Sequence, residues 1–279
     1  MEQRRYFNNL YLQSRYDKIA PDWNGRAYEG TRRDDIIPQL IELSRMESSP
    51  GLVVLEAMAG TGNLTRELAS FFPECGYTCL DFSKGMLEQI PNGICERICA
   101  SVLSIPFAPR RYDRIFLRSA LYDLPELRQY DAVKEVARVL KEDGLFVLQT
   151  YVAGENSQPW LNELVNRKDS FSGFRPPPGD EVSDASKETF PRFFPTESEL
   201  SHMIARASLR EVNSGFCFLG RMRYLLTNEL EGRGRSDWLD YARSIPPSIQ
   251  HELQFRETDA GLEFNFPGIV RVYRKIPRG

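Results

Sequence analysis

The sequence predicts an α/β protein whose sheet is mostly parallel and ends in an antiparallel hairpin. Short apolar runs, typical of buried parallel strands, alternate with amphipathic helical segments over residues 51–151. Such alternation forms right-handed βαβ units with helices on both faces of the sheet. Residues 209–279 are expected to complete the sheet, with a sixth strand at Val212–Tyr224 and two runs that flank the hairpin signal Asp259-Ala-Gly261.

The elements follow in order along the chain. Residues 1–50 are expected to form a helical cover, because apolar residues recur at helical spacing from Ile36 to Leu43. The strands of the core are expected at Leu52–Leu55, Tyr77–Asp81, Ile94–Cys99, Arg114–Leu117 and Gly144–Leu148. The helices between them are expected at Leu64–Phe72, Ser83–Leu87 and Pro125–Leu140, with Ser83 as an N-cap.

The composition changes after the core. Residues 152–208 are expected to contain a lid inserted after the fifth strand, because residues 170–195 are rich in proline, serine and aspartate and too polar for a core. Thr196 followed by Glu199 predicts a capping box at the start of a helix. We therefore divide the chain into a cover, a core, a lid with its helix, and C-terminal strands.

The charge balance disfavours a nucleic-acid partner. The chain has 36 basic and 39 acidic residues and a net charge of −3, whereas nucleic-acid binders usually carry a basic domain. The N-terminal residues lack the apolar stretch of a secretory signal, and no apolar run approaches the ~20 residues of a membrane span. We expect a cytoplasmic protein with no nucleic-acid partner and no membrane span. The oligomeric state stays open.

The cysteines and histidines do not predict a metal site. The five cysteines are odd in number, form no Cys-x-x-Cys pair, and are accompanied by two histidines. Zinc sites need closely spaced ligands on turns, whereas Cys79 and Cys99 lie inside apolar strand-like runs, where thiols pack as small hydrophobic groups. We expect reduced cysteines and no metal.

The segment from Val53 to Thr65 carries the most informative pattern. It predicts a strand, a turn containing Gly60 and Gly62, and the start of a helix. Glycines let a ligand approach the backbone, and the helix start offers N–H groups. Asp81 ends the next strand, where a carboxylate accepts both hydroxyls of a ribose. The pattern therefore predicts a cofactor that contains a nucleoside.

The same residues distinguish between kinds of cofactor. A dinucleotide needs a third small residue after the turn, but Thr65 stands there, and Glu56 precedes the turn. A carboxylate repels a pyrophosphate and attracts an ammonium group. Glu56 and Asp81 together fit S-adenosylmethionine, which has a ribose and an α-ammonium group and no phosphate.

The chain resembles the class I S-adenosylmethionine-dependent methyltransferases, in the small-molecule branch similar to ubiquinone/menaquinone-type enzymes. The resemblance rests on motifs over residues 52–150 and at the N-terminal helix. These are Tyr16-Asp-Lys-Ile-Ala20, Leu55-Glu-Ala-Met-Ala-Gly-Thr-Gly62, Leu80-Asp-Phe-Ser-Lys-Gly-Met-Leu87, Ser101-Val-Leu-Ser-Ile-Pro-Phe107, Tyr112-Asp-Arg-Ile-Phe-Leu-Arg-Ser-Ala-Leu-Tyr122 and Val136-Ala-Arg-Val-Leu-Lys-Glu-Asp-Gly-Leu145.

This resemblance implies a Rossmann-like sheet of seven strands and methyl transfer to an oxygen, nitrogen or carbon atom of a small molecule, a metabolite or natural product, with S-adenosylhomocysteine as product. It also implies a set of cofactor-binding residues. These are Tyr16, Glu56, Ala57, Gly60, Gly62, Asp81, Phe82, Met86, Ser101, Val102 and Arg118.

The acceptor side is expected after the fourth strand, because α/β sheets bind ligands at the carboxyl ends of their strands. Tyr122 and Asp123 are the candidate catalytic residues, which orient or deprotonate the acceptor. Asp123 has the alternative role of capping the helix after Pro125. The candidate substrate-binding residues are Tyr28, Ser119, Tyr122 and Phe194.

Three positions depart from the family pattern. Met58 stands where the first glycine of the turn is usual, and Ser101 stands where an aspartate commonly contacts the adenine amino group. Tyr122-Asp123 replaces a frequent histidine. Two alternatives therefore stay open. One is a protein of the same fold that binds the cofactor and catalyses a non-methylating rearrangement. The other is a methyltransferase that modifies protein or RNA.

Overall fold

The structure is a computed structural model. It describes residues 13, 16–23, 36–48, 50–171, 192–215, 218–225, 233–258 and 261–276. The helices are α1 (residues 16–23), α2 (Ile36–Ser44), α3 (Asn63–Phe71), α4 (Lys84–Glu88), α5 (Glu126–Val139), α6 (Gln158–Phe171), α7 (Glu197–Arg206), α8 (Arg233–Ser244) and α9 (Pro247–Glu252). Two 3₁₀ turns lie at Met46–Ser48 and Leu121–Asp123.

A nine-stranded sheet forms the centre of the described structure. Its strands are β1 (Val53–Ala57), β2 (Gly76–Asp81), β3 (Glu96–Cys99), β4 (Tyr112–Arg118), β5 (Leu140–Tyr151), β6 (Leu209–Ser214), β7 (Phe218–Leu225), β8 (Arg256–Thr258) and β9 (Gly261–Lys275). Seven strands follow the order β3-β2-β1-β4-β5-β9-β6, and β7 and β8 also pair with β9. The first five strands are parallel, and β9 is antiparallel to all its neighbours. The predicted fold class is confirmed.

The C-terminal strands differ in detail from the prediction. The expected sixth strand at Val212–Tyr224 is two strands, β6 and β7, and both pair with β9. The terminal hairpin is present, because β8 and β9 pair with Thr258 opposite Gly261. Residues 259 and 260 lie outside the described residues. The fifteen residues of β9 pair with different strands along their length: the second half pairs with β5 and the first half with β7 and β8.

Apolar side chains cover both faces of the parallel sheet. One face packs against α5 and α7, with Val133, Val136 and Ile204 in its core. The opposite face packs against α2 and α3. A further cluster joins α6, α8 and α9 to the first half of β9, around the fully buried Trp238. Because helices cover both faces of the parallel sheet, polar side chains can form a site at the carboxyl ends of its strands.

Two local predictions of helix starts are confirmed. The Ser83 side chain accepts a hydrogen bond from the Met86 N–H and caps α4. Thr196 and Glu199 form the reciprocal capping box of α7. Helix α6 has no counterpart in the prediction. Most of the proline-rich segment 170–195 lies outside the described residues.

Candidate functional site

A cavity of about 1170 Å³ lies at the carboxyl ends of β1, β2, β4 and β5. Twelve of the residues singled out in the sequence line it, which are Tyr16, Glu56, Gly60, Asp81, Phe82, Met86, Ser101, Val102, Arg118, Ser119, Tyr122 and Asp123. The order β2-β1-β4-β5 brings these residues together, although they span more than a hundred positions of the chain.

Three of the described candidate residues, Ala57, Gly62 and Phe194, are not among those that line the cavity. Ala57 is buried within β1, and Gly62 lies at the start of α3. Phe194 is fully buried, with its ring stacked on that of Tyr122 at 5.0 Å between centroids. Tyr28 lies outside the described residues.

The turn between β1 and α3 requires left-handed backbone at three positions. Met58, Gly60 and Gly62 have φ values of 56°, 54° and 66°. Glycine adopts this conformation without strain, whereas a side chain costs roughly 1–2 kcal/mol there. Met58 therefore adopts the left-handed geometry that favours glycine, at a position where the resemblance leads us to expect that residue.

Glu56 is a buried carboxylate that joins β1 to α3. Its Oε2 accepts hydrogen bonds from the Thr65 backbone N–H at 2.9 Å and from the Thr65 hydroxyl at 2.6 Å. Burial raises the pKa of the Glu56 carboxyl, while the bonds from Thr65 and the charge of Arg118 act in the opposite direction. The carboxylate therefore has a structural role in the turn in addition to facing the cavity.

Asp81 joins the end of β2 to the same turn. Its Oδ2 accepts the Gly60 N–H at 2.8 Å, and its Oδ1 accepts the Ser83 N–H at 2.9 Å. Burial raises the pKa of Asp81 to about 6, although both of these bonds favour the charged form. The neighbouring charge of Asp17 raises that pKa further. Asp81 thus changes its ionisation close to neutral pH.

The loop of residues 101–107 forms another wall of the cavity. The Ser101 hydroxyl accepts the Leu103 N–H at 3.2 Å, and the Ala100 N–H donates to the Asp81 carbonyl at 2.9 Å. Val102 is buried beside them. The Ser101 oxygen thereby points along the loop's own backbone while still lining the cavity.

Helix α1 docks on the start of α4. The Asp17 carboxylate accepts hydrogen bonds from the Ser83 hydroxyl at 2.5 Å and from the Gly85 N–H at 2.7 Å. A Cβ at Gly85 would lie 2.9 Å from the Asp17 Cα, so only glycine permits this approach. The docking holds Tyr16 over the cavity, with its ring edge-on to Phe82 at 5.7 Å.

Asp123 links three segments at the cavity. The Tyr16 hydroxyl donates to Asp123 Oδ2 at 3.1 Å, and Arg192 Nε lies 2.8 Å from Asp123 Oδ1. The alternative that Asp123 caps the following helix is wrong, because the N-cap of α5 is Pro125 and no side chain caps that helix. The loop structure places Asp123 in the cavity, beside a cation.

Tyr122 presents an aromatic wall. Its ring stacks on Phe194 and lies 5.4 Å from the ring of Tyr151. Burial and the nearby Asp123 carboxylate raise the pKa of Tyr122 well above its ordinary value. The phenol therefore stays protonated at neutral pH.

Ser119 follows β4 in a left-handed conformation, with φ 51°. Its N–H donates to the Gln149 carbonyl at 2.8 Å, and its hydroxyl accepts from the Gln149 side-chain amide at 3.0 Å. Non-glycine residues in this conformation concentrate at functional sites. Two such residues, Met58 and Ser119, end the adjacent strands β1 and β4 and line the same cavity.

The sequence analysis did not assign several lining residues to the site. These are Trp23, Met58, Gln149, Tyr151 and Arg192. The sequence contains a pattern that could have identified three of these residues. Trp23 lies seven positions after Tyr16, hence on the same helix face, and Gln149 and Tyr151 end a parallel strand. No local pattern in the sequence predicts that Arg192 lies beside Asp123, because the two residues are far apart in the chain.

Neither a metal-binding cluster nor a membrane-spanning helix is present among the described residues. No group of three or more His, Cys, Asp or Glu side chains is arranged to hold a metal ion within those ranges. Among the helices that the structure describes, none combines the length and apolarity that a membrane crossing requires.

Part of the chain matches a family of known proteins. The family described as a methyltransferase domain matches residues 54–144. A demethylmenaquinone methyltransferase of Corynebacterium urealyticum is 36% identical over 109 residues, which are 38% of this chain and 45% of that protein. A second one, from Desulfitobacterium hafniense, is 28% identical over 181 residues, 60% of this chain and 69% of that protein. The match thus spans about half the length of the first relative.

The fold also matches a solved structure. The YcgJ protein from Bacillus subtilis superposes with a TM-score of 0.67 at 20% identity, covering 87% of this chain and 98% of that one. At this identity the likeness concerns the fold.

Proposed function

We infer that this chain is a class I S-adenosylmethionine-dependent methyltransferase that transfers a methyl group to an oxygen, nitrogen or carbon atom of a small molecule, because residues 54–144 match a methyltransferase domain. One observation carries the inference. Two buried carboxylates, Glu56 and Asp81, line one cavity on either side of the glycine turn. Both would repel a pyrophosphate, whereas a ribose and an ammonium group complement them.

Asp81 is proposed to accept the ribose hydroxyls. Its oxygens already accept one backbone N–H each, from Gly60 and Ser83. A carboxylate has about four lone-pair sites, so further acceptor capacity remains for two hydroxyl groups. The two backbone bonds fix the carboxylate in place before a ligand arrives, and this preorganisation lowers the entropy loss of binding.

Glu56 and Arg118 are proposed to hold the amino-acid end of the cofactor. Arg118 lies close enough to Glu56 for its charge to lower the pKa of the carboxyl, and both side chains line the cavity. A carboxylate beside a guanidinium complements a zwitterion, whose ammonium and carboxylate groups carry the opposite charges.

Ser101 and Val102 are proposed to face the nucleobase, with Phe82 and Met86 as its apolar support. Ser101 and Val102 stand at the end of the wall that follows β3, and all four residues line the cavity. Ala57 and Gly62, which do not line it, would then act by shaping the turn.

When bound, S-adenosylmethionine supplies a methyl group on a sulfonium sulfur. The protein's own contribution is to align the acceptor with that methyl group and to exclude water, which together lower the barrier to an in-line displacement. The aromatic faces of Tyr16 and Trp23 stand at the cavity and favour a cation near them.

Tyr122 and Asp123 are proposed to orient the acceptor. The raised pKa of Tyr122 makes its phenol a donor toward an acceptor oxygen. The ion pair with Arg192 compensates part of the charge of Asp123, which favours orientation of the acceptor over proton removal. Ser119 is proposed to contact the acceptor, and Tyr28 and Phe194 retain their proposed roles in forming its pocket.

The size and cover of the cavity support a small acceptor. About 1170 Å³ exceeds the upper end, near 1,000 Å³, of pockets that hold one small ligand, so a cofactor and an acceptor fit together. Segments 1–50 and 152–208 are proposed to cover the acceptor. The relatives named demethylmenaquinone methyltransferases suggest aromatic or quinoid acceptors as the first class to test.

The test is incubation with methyl-labelled S-adenosylmethionine and a panel of phenols, quinols and carboxylic acids. We expect label in one acceptor and an equal amount of S-adenosylhomocysteine. Calorimetry with S-adenosylhomocysteine, and with nicotinamide and flavin dinucleotides as controls, tests the cofactor independently. Tight binding of a dinucleotide with no binding of S-adenosylhomocysteine would contradict the proposal.

The same experiment separates the alternatives. Acceptor conversion without transfer of label would favour a non-methylating rearrangement on this fold. Label in protein or RNA from a cell extract, with none in small molecules, would favour the macromolecular methyltransferase. The net charge of −3 gives that second alternative no electrostatic support.

A further inference from the structure

Two charged residues on α5 hold the loop of residues 101–107 from outside the cavity. Glu135 Oε2 accepts the Ile105 N–H at 2.9 Å. Arg138 Nη2 donates to the Ile105 carbonyl at 2.8 Å, and Nη1 donates to the Phe107 carbonyl at 2.8 Å. One pair of side chains, Glu135 and Arg138, therefore bonds the N–H and carbonyl of Ile105 and the carbonyl of Phe107. We term this pair the loop clamp.

The two clamp residues also hold each other. Arg138 Nε lies 2.7 Å from Glu135 Oε1, and Arg138 Nη2 lies 2.8 Å from Glu135 Oε2. This bidentate geometry is the strongest arrangement of an arginine with a carboxylate. The bond from Arg138 lowers the pKa of Glu135, and the same bond raises the pKa of Arg138. Both groups are charged at neutral pH.

The clamped loop has its other end at the cavity. Ala100 N–H bonds to the Asp81 carbonyl, and Ser101 and Val102 then line the cavity. A turn closes between the Ser104 N–H and the Ser101 carbonyl at 3.0 Å. The position of the wall is thus set at one end by β2 and at the other by the loop clamp.

We propose that Glu135 and Arg138 are positioning residues for the nucleobase of the cofactor. Neither residue lines the cavity, so they act through the loop, by fixing the distance of Ser101 and Val102 from the base. This inference rests on the proposed function, because it requires a nucleoside cofactor at that wall. Loss of the clamp weakens cofactor binding and base discrimination, and it leaves turnover at saturating cofactor unchanged.

The variants Arg138→Lys and Glu135→Gln test the proposal. Lysine keeps the charge and loses the planar fork that reaches two carbonyls and a carboxylate at once. Glutamine keeps an acceptor for the Ile105 N–H and loses the ion pair. The matched control is Arg128→Lys, because Arg128 forms an ion pair with Asp131 three residues along the same helix, and this pair is not part of the loop clamp.

Two ligands are compared by calorimetry: S-adenosylhomocysteine and its inosine counterpart, in which a carbonyl replaces the adenine amino group. For Arg138→Lys we expect affinity for S-adenosylhomocysteine to fall about tenfold, as when one or two charge-assisted hydrogen bonds are lost. The preference for adenine over the inosine counterpart also falls. KM for the cofactor rises, kcat is retained, and Glu135→Gln shows a smaller change in the same direction.

A merely structural role would lower the urea midpoint without changing the preference between the two bases. That result, or affinities equal to those of wild type, would overturn the inference and leave the proposed function standing. A wild-type protein that bound neither compound would instead overturn the proposed function, and the inference with it.

Discussion

The Tyr16 hydroxyl donates a hydrogen bond to Asp123 Oδ2 at 3.1 Å across 107 positions of the chain. The bond joins the N-terminal helix to the loop after β4, above the cavity that both residues line. One contact therefore links the cover of the proposed cofactor site to the wall of the proposed acceptor site.

Tyr16→Phe removes this hydrogen bond and keeps the ring contacts with Trp23 and Phe82. A hydrogen bond to a charged group contributes about 1.5–3 kcal/mol. We expect cofactor affinity, measured by calorimetry with S-adenosylhomocysteine, to fall about tenfold or more. The control is Tyr130→Phe, whose hydroxyl makes an exposed bond of 3.4 Å to Arg206, and an equal loss in both variants would contradict the prediction.

Gly85→Ala tests the docking of α1 on α4. The new Cβ would lie 2.9 Å from the Asp17 Cα and displace the cover. Alanine favours a helix by about 1 kcal/mol over glycine, so we expect the urea midpoint to be kept while affinity for S-adenosylhomocysteine falls. Gly76→Ala is the control, because nothing lies within 4 Å of its Cβ position. Unchanged affinity in Gly85→Ala would mean that docking is not needed for binding.

The ionisation of Asp81 predicts a pH dependence. The pKa of Asp81 is raised from its ordinary value of 3.8 to about 6 in the folded protein. The contribution of Asp81 to the free energy of unfolding is therefore favourable below pH 3.8 and is lost as the pH rises through about 6. Ribose hydroxyls donate to the charged form, so affinity for S-adenosylhomocysteine is expected to rise between about pH 5 and pH 7. Burial also raises the pKa of the Glu56 carboxyl.

The variant Asp81→Asn distinguishes the titration of Asp81 from that of Glu56. The amide stays neutral, so the affinity of this variant is expected to be lower and to vary less with pH over that range. Calorimetry at several pH values gives both curves. A variant whose pH dependence matches that of wild type would assign the titration to another group.

Met58 offers a test of the strained turn. Met58→Gly removes the side chain from a position with φ 56°, and we expect the turn and cofactor affinity to be retained. Met58→Val places a β-branched residue in the left-handed region, and its free energy of unfolding is expected to be lower than that of Met58→Gly by about 1–2 kcal/mol or more. Urea unfolding measures both variants. Equal stability of the glycine and valine variants would show that the backbone relaxes.

Much of the fold followed from patterns in the sequence. Apolar runs such as the one that ends at Glu56 predicted the parallel strands, and the pairs Ser83–Met86 and Thr196–Glu199 mark helix starts whose partners are a few residues apart. The resemblance to class I methyltransferases and the fold class were both confirmed. Local chemistry was sufficient here because each signal is complete within one turn or one strand.

Other features depended on distant parts of the chain. The contacts of Asp123 with Tyr16 and Arg192, and the lack of a side-chain cap on α5, exclude the helix-cap role that the sequence left open. The split of the sixth strand into β6 and β7 follows from the length of β9, which pairs with both. No pattern near these residues predicts their partners.

The amino-acid sequence by itself determined the alternation of strands and helices, the glycine turn and the acids that end two strands. Only the tertiary structure decided which side chains share the cavity, how Asp123 is neutralised and why Glu135 and Arg138 reach residue 105. The periodicity of helices and strands is determined by residues that are close in the sequence. These contacts form instead where the strand order brings segments that are far apart in the sequence to one edge of the sheet.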